Sequence, residues 1–490
     1  MQRTSVDGVT VLWTPAPGPR PLTAQLTFGC GVRDESAPTM GVTRLVQGLV
    51  MDRVGGRLHE FGSVVDTEET RFVATGTPQD VAGFLEEVCR ALSDLPLQRT
   101  GHVAGLLEIQ DAPIPEWEAA EALGARFGPH GPGLVLHHHG GMYASVTADM
   151  VRSHAAARFT RGNAVLALDG PVPRGLRLPL PDGSRPERPA PRNRLGQSWR
   201  HRPVANVALL STSGASSPAA VTAHMVLRRR VERAARDEQG ISSAVSSHYF
   251  VRDRITFDRV LVMDAQEGRE DQAAGLLWHE AVRLTRTAPA EAELAEFTAR
   301  VRAEQDFEHG HWGRLSRAVC SELFGVPYLD DRTLLERLEA VTPEDVRRYM
   351  AQAMDDAVLV VPDGVHLRLR TPDGRAALPN SDCWRTEGPP TAGTVFPMQR
   401  LHRATTRRGE RGEWVLTPWG LVCRDAHADE HDIRFDEVAL MLRDGEERVV
   451  LTGCGCLMHL RPRYFRRGSR LTAAIDAAVP AARVRDPAAR

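Results

Sequence analysis

Three short segments carry the thiol, imidazole and carboxylate groups that metal or redox chemistry needs. Cys454-Gly455-Cys456 offers two thiols, but no second cysteine pair follows at zinc-finger spacing, which favours two buried thiols on one strand face. His137-His138-His139 is a possible metal tract, yet consecutive side chains point in different directions, which favours a solvated strand end. Glu308, His309 and His311 fall at a helix junction without a third cluster nearby.

Other catalytic classes have less support in this chain. Cys30 and Cys320 have no histidine or aspartate partner that the sequence can assign, so a cysteine protease is disfavoured. Every one of the 61 basic residues is arginine, as in GC-rich, actinobacterial-type coding, and a phosphate-binding loop of the G-x-x-x-x-G-K-[ST] type needs a lysine. The net charge of -2 gives no reason to expect nucleic-acid binding.

Length and cysteine usage limit the architecture and the compartment. With 490 residues, of which 42% are hydrophobic, we expect two or three packed domains. The seven cysteines are scattered and odd in number, which favours a reducing, cytoplasmic compartment. The first residues lack the apolar core of a secretory signal, and no apolar run is long enough to span a membrane.

The elements that must position these groups form an α+β chain of three parts. Residues 1–173 alternate apolar strands, such as Val9–Trp13 and Ala164–Leu168, with amphipathic helices, such as Val42–Val54. Residues 174–199 form a Pro/Arg-rich linker, and residues 200–365 are interpreted as a second copy of the first unit. Two unrelated α+β domains remain the alternative. In the second unit, Glu232 and Arg236 are expected to pair on one helix face.

The tail is expected to be mostly β. After a linker at 366–410, residues 411–490 show short alternating runs, a tight turn at Asp444-Gly445 and a terminal helix at Ser469–Val479. This element order resembles a pleckstrin-homology-type domain, a fold that often binds partners without itself defining a function.

Two consecutive motifs in the first unit resemble a known protease family. Thr23–Glu35 resembles an apolar strand that ends in a G-x-R-D/N-E turn, and Gly41–Val50 resembles the helix that carries G-x-x-H-x-x-E-H. The chain is therefore identified as resembling the insulinase/pitrilysin zinc peptidases, or inverzincins, in their mitochondrial-processing-peptidase-like bacterial branch. The resemblance implies two tandem homologous α/β units that form half of a clamshell.

The resemblance also implies that the metal ligands are missing. Arg44 stands at the first histidine position, Gln47 at the glutamate position and Gly48 at the second histidine position, while Glu108 matches the third ligand. A guanidinium has no lone pair to donate, an amide is not a general base and glycine has no side chain. We therefore expect no catalytic residues, no metal and no cofactor, with zinc present only in a partner chain.

Substrate-binding residues are expected in both units. Arg236 is retained from an arginine–tyrosine pair with which the family holds substrate, whereas Ser243 stands at the tyrosine position. The segment Arg71–Gly76, including Phe72 and Val73, and the region Val204–Ser211 are expected to present strand edges to an extended peptide.

Two hypotheses from different classes follow. In the first, the chain is the inactive subunit of a heterodimeric zinc peptidase and completes a chamber around a peptide. In the second, it is a standalone scaffold or peptide-binding protein that acts through its C-terminal domain. An active enzyme with a displaced metal site is disfavoured because the general base is missing.

Overall fold

Two sheets with a matching strand order form the body of the protein. The computed structural model describes residues 1–15, 21–55, 60–110, 117–137, 143–188, 190–305, 310–386, 388–405 and 412–486. The strands of the first sheet are β1 (Gln2–Val6), β2 (Val9–Trp13), β3 (Leu22–Phe28), β4 (Glu60–Val65), β5 (Thr70–Gly76) and β6 (Ala164–Leu168). The accompanying helices are α1 (Val42–Val54), α2 (Pro78–Ser93), α3 (Thr100–Gln110), α4 (Ala120–Phe127) and α5 (Ala148–Arg158).

The second sheet is built from the middle of the chain. Its strands are β7 (Ser198–Arg202), β8 (Val207–Ala215), β9 (Val245–Val251), β10 (Thr256–Asp264) and β11 (Val358–Pro362). Its helices are α6 (Pro218–Glu232), α7 (Glu270–Arg286), α8 (Glu291–Gln305), α9 (Gly310–Phe324), α10 (Asp331–Glu339) and α11 (Pro343–Ala353), and a π-helical turn, Arg233–Glu238, continues α6.

The two sheets repeat one topology. The first has the order β1-β2-β6-β3-β5-β4 and the second the order β7-β11-β8-β10-β9. In each, a parallel pair (β2 with β6, β7 with β11) is followed by three antiparallel pairings. A helix, α1 or α6, follows the equivalent strand β3 or β8. The predicted tandem repeat is therefore present in the strand order, with β1 as an addition to the first sheet.

A shared core fastens the two units together. Phe127 of α4 and Leu134 pack with Leu209 and Val360 of the second sheet and with Leu440 from the tail. On the outer face of the first sheet, α9 from the second unit packs Leu315 and other apolar residues against β2 and β6. Burial of apolar surface between the units therefore holds them in one arrangement.

The segment 174–199, expected to be a linker, is anchored to the first unit by hydrogen bonds. Backbone carbonyls of Pro181 and Gly183 accept from Arg161 and Gly162, and Arg188 donates to Asp34 at 2.6 Å. Its last two residues already belong to β7.

The tail contains two further sheets. Its strands are β12 (Trp384–Arg385), β13 (Thr394–Pro397), β14 (Glu413–Leu416), β15 (Gly420–Arg424), β16 (Glu430–Arg434), β17 (Leu440–Asp444), β18 (Glu447–Leu451), β19 (Leu457–Leu460) and β20 (Val484–Arg485); the helices are α12 (Arg400–Thr405) and α13 (Gly468–Ala478). The sheet orders are β12-β16-β15-β14-β13 and β19-β18-β17-β20. Apolar side chains of both sheets and of α13 share one core.

Two details of the tail differ from the sequence-based expectation. The segment 366–410 is not only a linker, because β12 and β13 lie within it and pair with β16 and β14. Helix α13 is not the last element, because β20 follows it and pairs with β17. The Asp444-Gly445 turn is confirmed: Asp444 pairs with Glu447, and Gly445 has a φ of +55°. No described helix is both long and apolar enough to cross a membrane.

Candidate functional site

The side chain of Glu35 lies at the N-terminus of α1, although Glu35 precedes the helix in sequence. Glu35 accepts hydrogen bonds from the backbone amides of Gly41 at 2.7 Å and Thr43 at 2.8 Å. These amides lie at the helix N-terminus, where they have no intrahelical partner and where negative charge is favoured. The G-x-R-D/N-E turn therefore fixes the start of the helix on which the family carries its metal ligands.

Arg44 and Gln47 are engaged in polar contacts beside α1. Nη1 of Arg44 donates to the hydroxyl of Tyr143 at 3.3 Å, and Nε2 of Gln47 donates to Oγ of Ser63 on β4. The guanidinium of Arg44 has no lone pair to offer a cation, and the amide of Gln47 is already held by Ser63.

Gly48 is covered by α3. A Cβ atom built on Gly48 would lie 2.7 Å from Cγ1 of Val103 and 3.8 Å from Cδ1 of Leu107. Val103 is buried, and its β-branched side chain has little rotameric freedom in a helix. The position where the family has its second histidine is therefore occupied by an apolar helix contact.

Glu108 lies on the same helix, α3, and Oε1 accepts from the backbone amide of Ala144 at 3.3 Å. Among the described residues, no group of three potential metal ligands gathers at α1. Catalytic zinc requires three protein ligands and one open position. One carboxylate beside a guanidinium, an amide and a glycine does not fit that ion.

The prediction that Arg71–Gly76 presents an open strand edge is wrong. The segment lies in β5, which pairs with β3 on one side and β4 on the other, so its backbone groups are already used. Phe72 is fully buried against Phe28, with ring centroids 6.2 Å apart. Arg71 pairs with Asp66 at 3.1 Å, and Val73 is opposite Gly62 of β4. The region Val204–Ser211 likewise leads into β8, an internal strand.

A group of carboxylates lies in the turn before β5. Glu68 pairs with Arg33 at 3.3 Å and Glu69 with Arg71 at 3.4 Å. Burial raises the pKa of Glu68 to about 8, against the opposing effect of Arg33. Burial together with the neighbouring Asp66 charge raises the pKa of Glu69 to about 8.

Arg236 and Ser243, separated by a turn in sequence, line the same surface pocket. The pocket has a volume of about 340 Å³ and is bordered by the end of α6, the π-helical turn, the start of β9 and Arg300 of α8. Five arginines line it: Arg228, Arg229, Arg233, Arg236 and Arg300. Ser243 donates through its hydroxyl and its amide to Asp264, so this serine fixes the loop that forms the rim.

The expected pairing of Glu232 with Arg236 is not formed. Glu232 pairs instead with Arg228 at 2.9 Å and Arg229 at 3.4 Å. The chain changes from α- to π-helical geometry at Arg233, which alters the i,i+4 spacing after that residue. Among the described residues Arg236 and Arg300 form no ion pair, so both guanidinium groups can donate hydrogen bonds to an external carboxylate.

Val245, the first residue of β9, also lines this pocket. Among the described strands β9 pairs only with β10, so its other edge has no strand partner, and only at its C-terminal end does the backbone of Val251 bond to Arg33 and Glu68. Sequence reasoning missed Arg300 and this edge, since both depend on how α8 and the second sheet pack.

Solved structures show which fold this is. An inactive M16 peptidase domain from Pseudomonas fluorescens aligns with a TM-score of 0.57 at 15% identity, covering 75% of this chain and 99% of that domain. The first half of the periplasmic protease PqqL from Escherichia coli aligns at 0.56 and 15%, covering 74% and 91%. A chain of complex III2 from Candida albicans aligns at 0.56 and 15%, covering 74% and 95%.

Neither a protein-family model nor a curated protein sequence matches this chain. At such low identity the structural likeness establishes architecture, and function has to be argued from the site. The resemblance inferred from the motifs around Glu35 and α1 is confirmed in the architecture: this chain has the insulinase-type, or M16, peptidase fold.

Proposed function

We propose that this chain is a non-catalytic, peptidase-like protein that binds an extended peptide, and that it is the inactive subunit of a two-chain zinc peptidase. The observation that carries the proposal is the continuity of the pocket around Arg236 with the unpaired edge of β9. An extended peptide can add a strand to such an edge through main-chain hydrogen bonds.

The charge of the pocket defines the chemistry of the peptide. The pocket is lined by five arginines, including Arg236 and Arg300, against two acidic residues, Glu232 and Asp237, so basic groups prevail, and a guanidinium binds a carboxylate through paired hydrogen bonds. The ligand is therefore an extended peptide with an acidic residue or a C-terminal carboxylate at the pocket. This keeps the predicted role of Arg236 and moves the strand contact from Arg71–Gly76 to β9.

The groups around α1 support a non-catalytic role. Arg44 and Gln47 donate hydrogen bonds, and Val103 fills the space beside Gly48, so hydrolysis would require a zinc-bearing partner. The inactive M16 domain among the similar structures is consistent with a chain of this kind.

Peptide binding is tested by fluorescence anisotropy with a labelled, acidic peptide of about ten residues. Replacing both Arg236 and Arg300 by glutamine is expected to raise Kd about tenfold, which corresponds to about 1.4 kcal/mol. Arg332→Gln is the matched control because Arg332 is exposed on α10, remote in sequence from the pocket residues. Equal binding by wild type and the double variant would contradict the pocket assignment.

The subunit role is tested by purifying the tagged chain from its own cells and assaying peptidase activity. Co-purification of a stoichiometric chain carrying H-x-x-E-H, with activity only in the complex, is expected. A tagged chain that elutes without a partner and has no peptidase activity would instead favour the standalone scaffold.

A further inference from the structure

Four metal-ligating side chains meet in the tail, far from α1 in sequence. Cys383 precedes β12, His431 lies in β16, and Cys454 and Cys456 lie in the turn between β18 and β19. Their ligand atoms all lie within 4.8 Å of one another. The sequence offered only the Cys454–Cys456 pair, interpreted as two buried thiols, whereas folding adds a third thiol and an imidazole.

The distances suit one small ion. Sγ of Cys383 is 3.5 Å from Sγ of Cys456, and Sγ of Cys454 is 3.4 Å from Nε2 of His431. In a tetrahedral zinc site, bonds of about 2.3 Å to sulfur and about 2.0 Å to nitrogen put neighbouring ligand atoms roughly 3.5–3.8 Å apart. The widest separation, at most 4.8 Å, exceeds this range by about 1 Å.

The backbone of the turn directs both thiols to the same place. Gly455 has a φ of +85°, a conformation that favours glycine, and its amide donates to the carbonyl of Thr452 at 2.9 Å. The amide of Cys456 donates to Oγ1 of Thr452 at 3.1 Å. A strand would send Cys454 and Cys456 along one face at a wider spacing, whereas this turn brings them around His431.

The surroundings balance the charge of a thiolate site. Nη2 of Arg200 donates to Sγ of Cys383 at 2.6 Å, and Oγ1 of Thr452 is 3.0 Å from Sγ of Cys454. Arg200 is buried, and so is His431. Three thiolates, a neutral imidazole and Zn²⁺ carry a net charge of −1, which the adjacent guanidinium offsets. Such outer contacts orient the ligands of metal sites.

Other uses of these cysteines fit less well. All four cysteines of the tail, including Cys423, are free, and the 3.5 Å between the sulfur atoms of Cys383 and Cys456 exceeds a disulfide bond of about 2.05 Å. A redox pair has no need of His431, whose Nδ1 is buried without a hydrogen-bond partner among the described residues. A set of three sulfurs and one nitrogen in tetrahedral reach is typical of zinc.

We propose that Cys383, His431, Cys454 and Cys456 form a structural zinc site that fastens the tail to the second unit. Four protein ligands leave no open position, which is the arrangement of structural rather than catalytic sites. Cys383 is tied to β7 because Asp382 accepts from the amide of His201 at 2.7 Å. The metal would therefore link Cys383, and through it β7, to both sheets of the tail. The proposal is independent of peptide binding.

The primary test is the metal content of the full-length, untagged chain, expressed with zinc and gel-filtered without chelator. About one zinc per chain is expected by plasma mass spectrometry. Cobalt substitution should give the visible bands of a tetrahedral, thiolate-bound Co²⁺. In the native protein, Cys383, Cys454 and Cys456 should resist alkylation until a strong chelator is added.

Cys454→Ser should lower zinc content to near zero, while Cys423→Ser, a cysteine of β15 outside the cluster, should leave it unchanged. If Cys454→Ser fails to fold, the wild-type metal content and the chelator-dependent alkylation still decide the matter. Folded wild type without zinc, a Cys383–Cys456 disulfide in freshly isolated protein, bound iron, or a Cys454→Ser variant that keeps its zinc would each overturn the proposal.

Discussion

Gly48 of α1 and Val103 of α3 meet at the point where the fold family carries a zinc ligand. A Cβ on Gly48 would approach Cγ1 of Val103 to 2.7 Å, closer than carbon atoms pack. The contact is internal and apolar, and Val103 is buried. The glycine is therefore needed for the approach of two helices, and this position is part of the core.

Gly48→Ala is expected to lower the free energy of unfolding by about 1–3 kcal/mol, because overpacking at a stiff, buried valine exceeds the gain in helix propensity. Urea unfolding measures this. Gly83→Ala is the matched control: Gly83 is also inside a helix, α2, but a Cβ there meets nothing within 4 Å. It should be neutral or stabilising by up to about 1 kcal/mol.

Adding Val103→Ala to Gly48→Ala should recover part of the loss, since the two residues interact directly and their effects are not additive. The same reasoning applies to restoring the motif. Arg44→His, Gln47→Glu and Gly48→His together should neither fold well nor take up zinc while Val103 is present. Equal stability of Gly48→Ala and Gly83→Ala would contradict the close contact.

Local patterns allowed the elements inside each unit to be predicted well. Val9–Trp13, Val42–Val54 and Ala164–Leu168 were predicted with the observed bounds, because apolar periodicity is a local signal. Strand β1 was missed because its residues are mostly exposed and show no apolar alternation. Strand β7 was missed because buried arginines interrupt its apolar pattern.

The candidate sites depended on contacts between distant segments. Arg236 could be selected by resemblance, whereas Arg300 enters the same pocket only through the packing of α8 against α6. Cys383 and His431 join Cys454 only after two tail sheets and β7 have assembled. No spacing rule covers ligands separated in this way, so the sequence supported only the weaker interpretation of Cys454-Gly455-Cys456.

The part of the stability that depends on Glu68 and Glu69 should fall as pH rises from about 4.5 to about 8. Burial raises the pKa of Glu68 and of Glu69 to about 8, so in this range the folded chain holds protons that the unfolded chain releases. Stability then decreases with pH by up to about 1.4 kcal/mol per unit for each such group. Below about pH 4.5 both states are protonated, and above about pH 8 the loss is complete.

Glu69→Gln should reduce the dependence of the free energy of unfolding on pH. At pH 8.5 the variant should have a higher unfolding midpoint in urea than wild type. At pH 5 the two midpoints should be nearly equal. Gln cannot ionise, so the folded state no longer has to hold a buried charge beside Asp66. Glu446→Gln, at an exposed carboxylate of the β17–β18 turn, serves as the control and should follow the wild-type profile. Parallel profiles for Glu69→Gln and wild type would contradict the raised pKa.

Among the polar residues at the contact between the two units, replacement of Arg126 should lower the free energy of unfolding the most. It is fully buried at the end of α4, pairs with Asp356 at 3.0 Å and donates to the hydroxyl of Ser211 at 2.8 Å and its carbonyl at 2.7 Å. Its burial lowers its pKa, yet a guanidinium remains charged at neutral pH. These bonds link a helix of the first unit to β8 and to the start of β11.

Arg126→Met should lower the free energy of unfolding by about 3 kcal/mol, because it removes the cation that pairs with Asp356, which keeps only Asn193 among its described partners, and the donor to both groups of Ser211. Arg90→Met, which removes an exposed i,i+4 pair with Glu86 on α2, should cost less than about 0.5 kcal/mol. In a double-mutant cycle, Asp356→Asn should cost less in the Arg126→Met background than in wild type. Additive effects, or a loss at Arg126 no larger than at Arg90, would contradict the importance of this buried ion pair for the contact between the units.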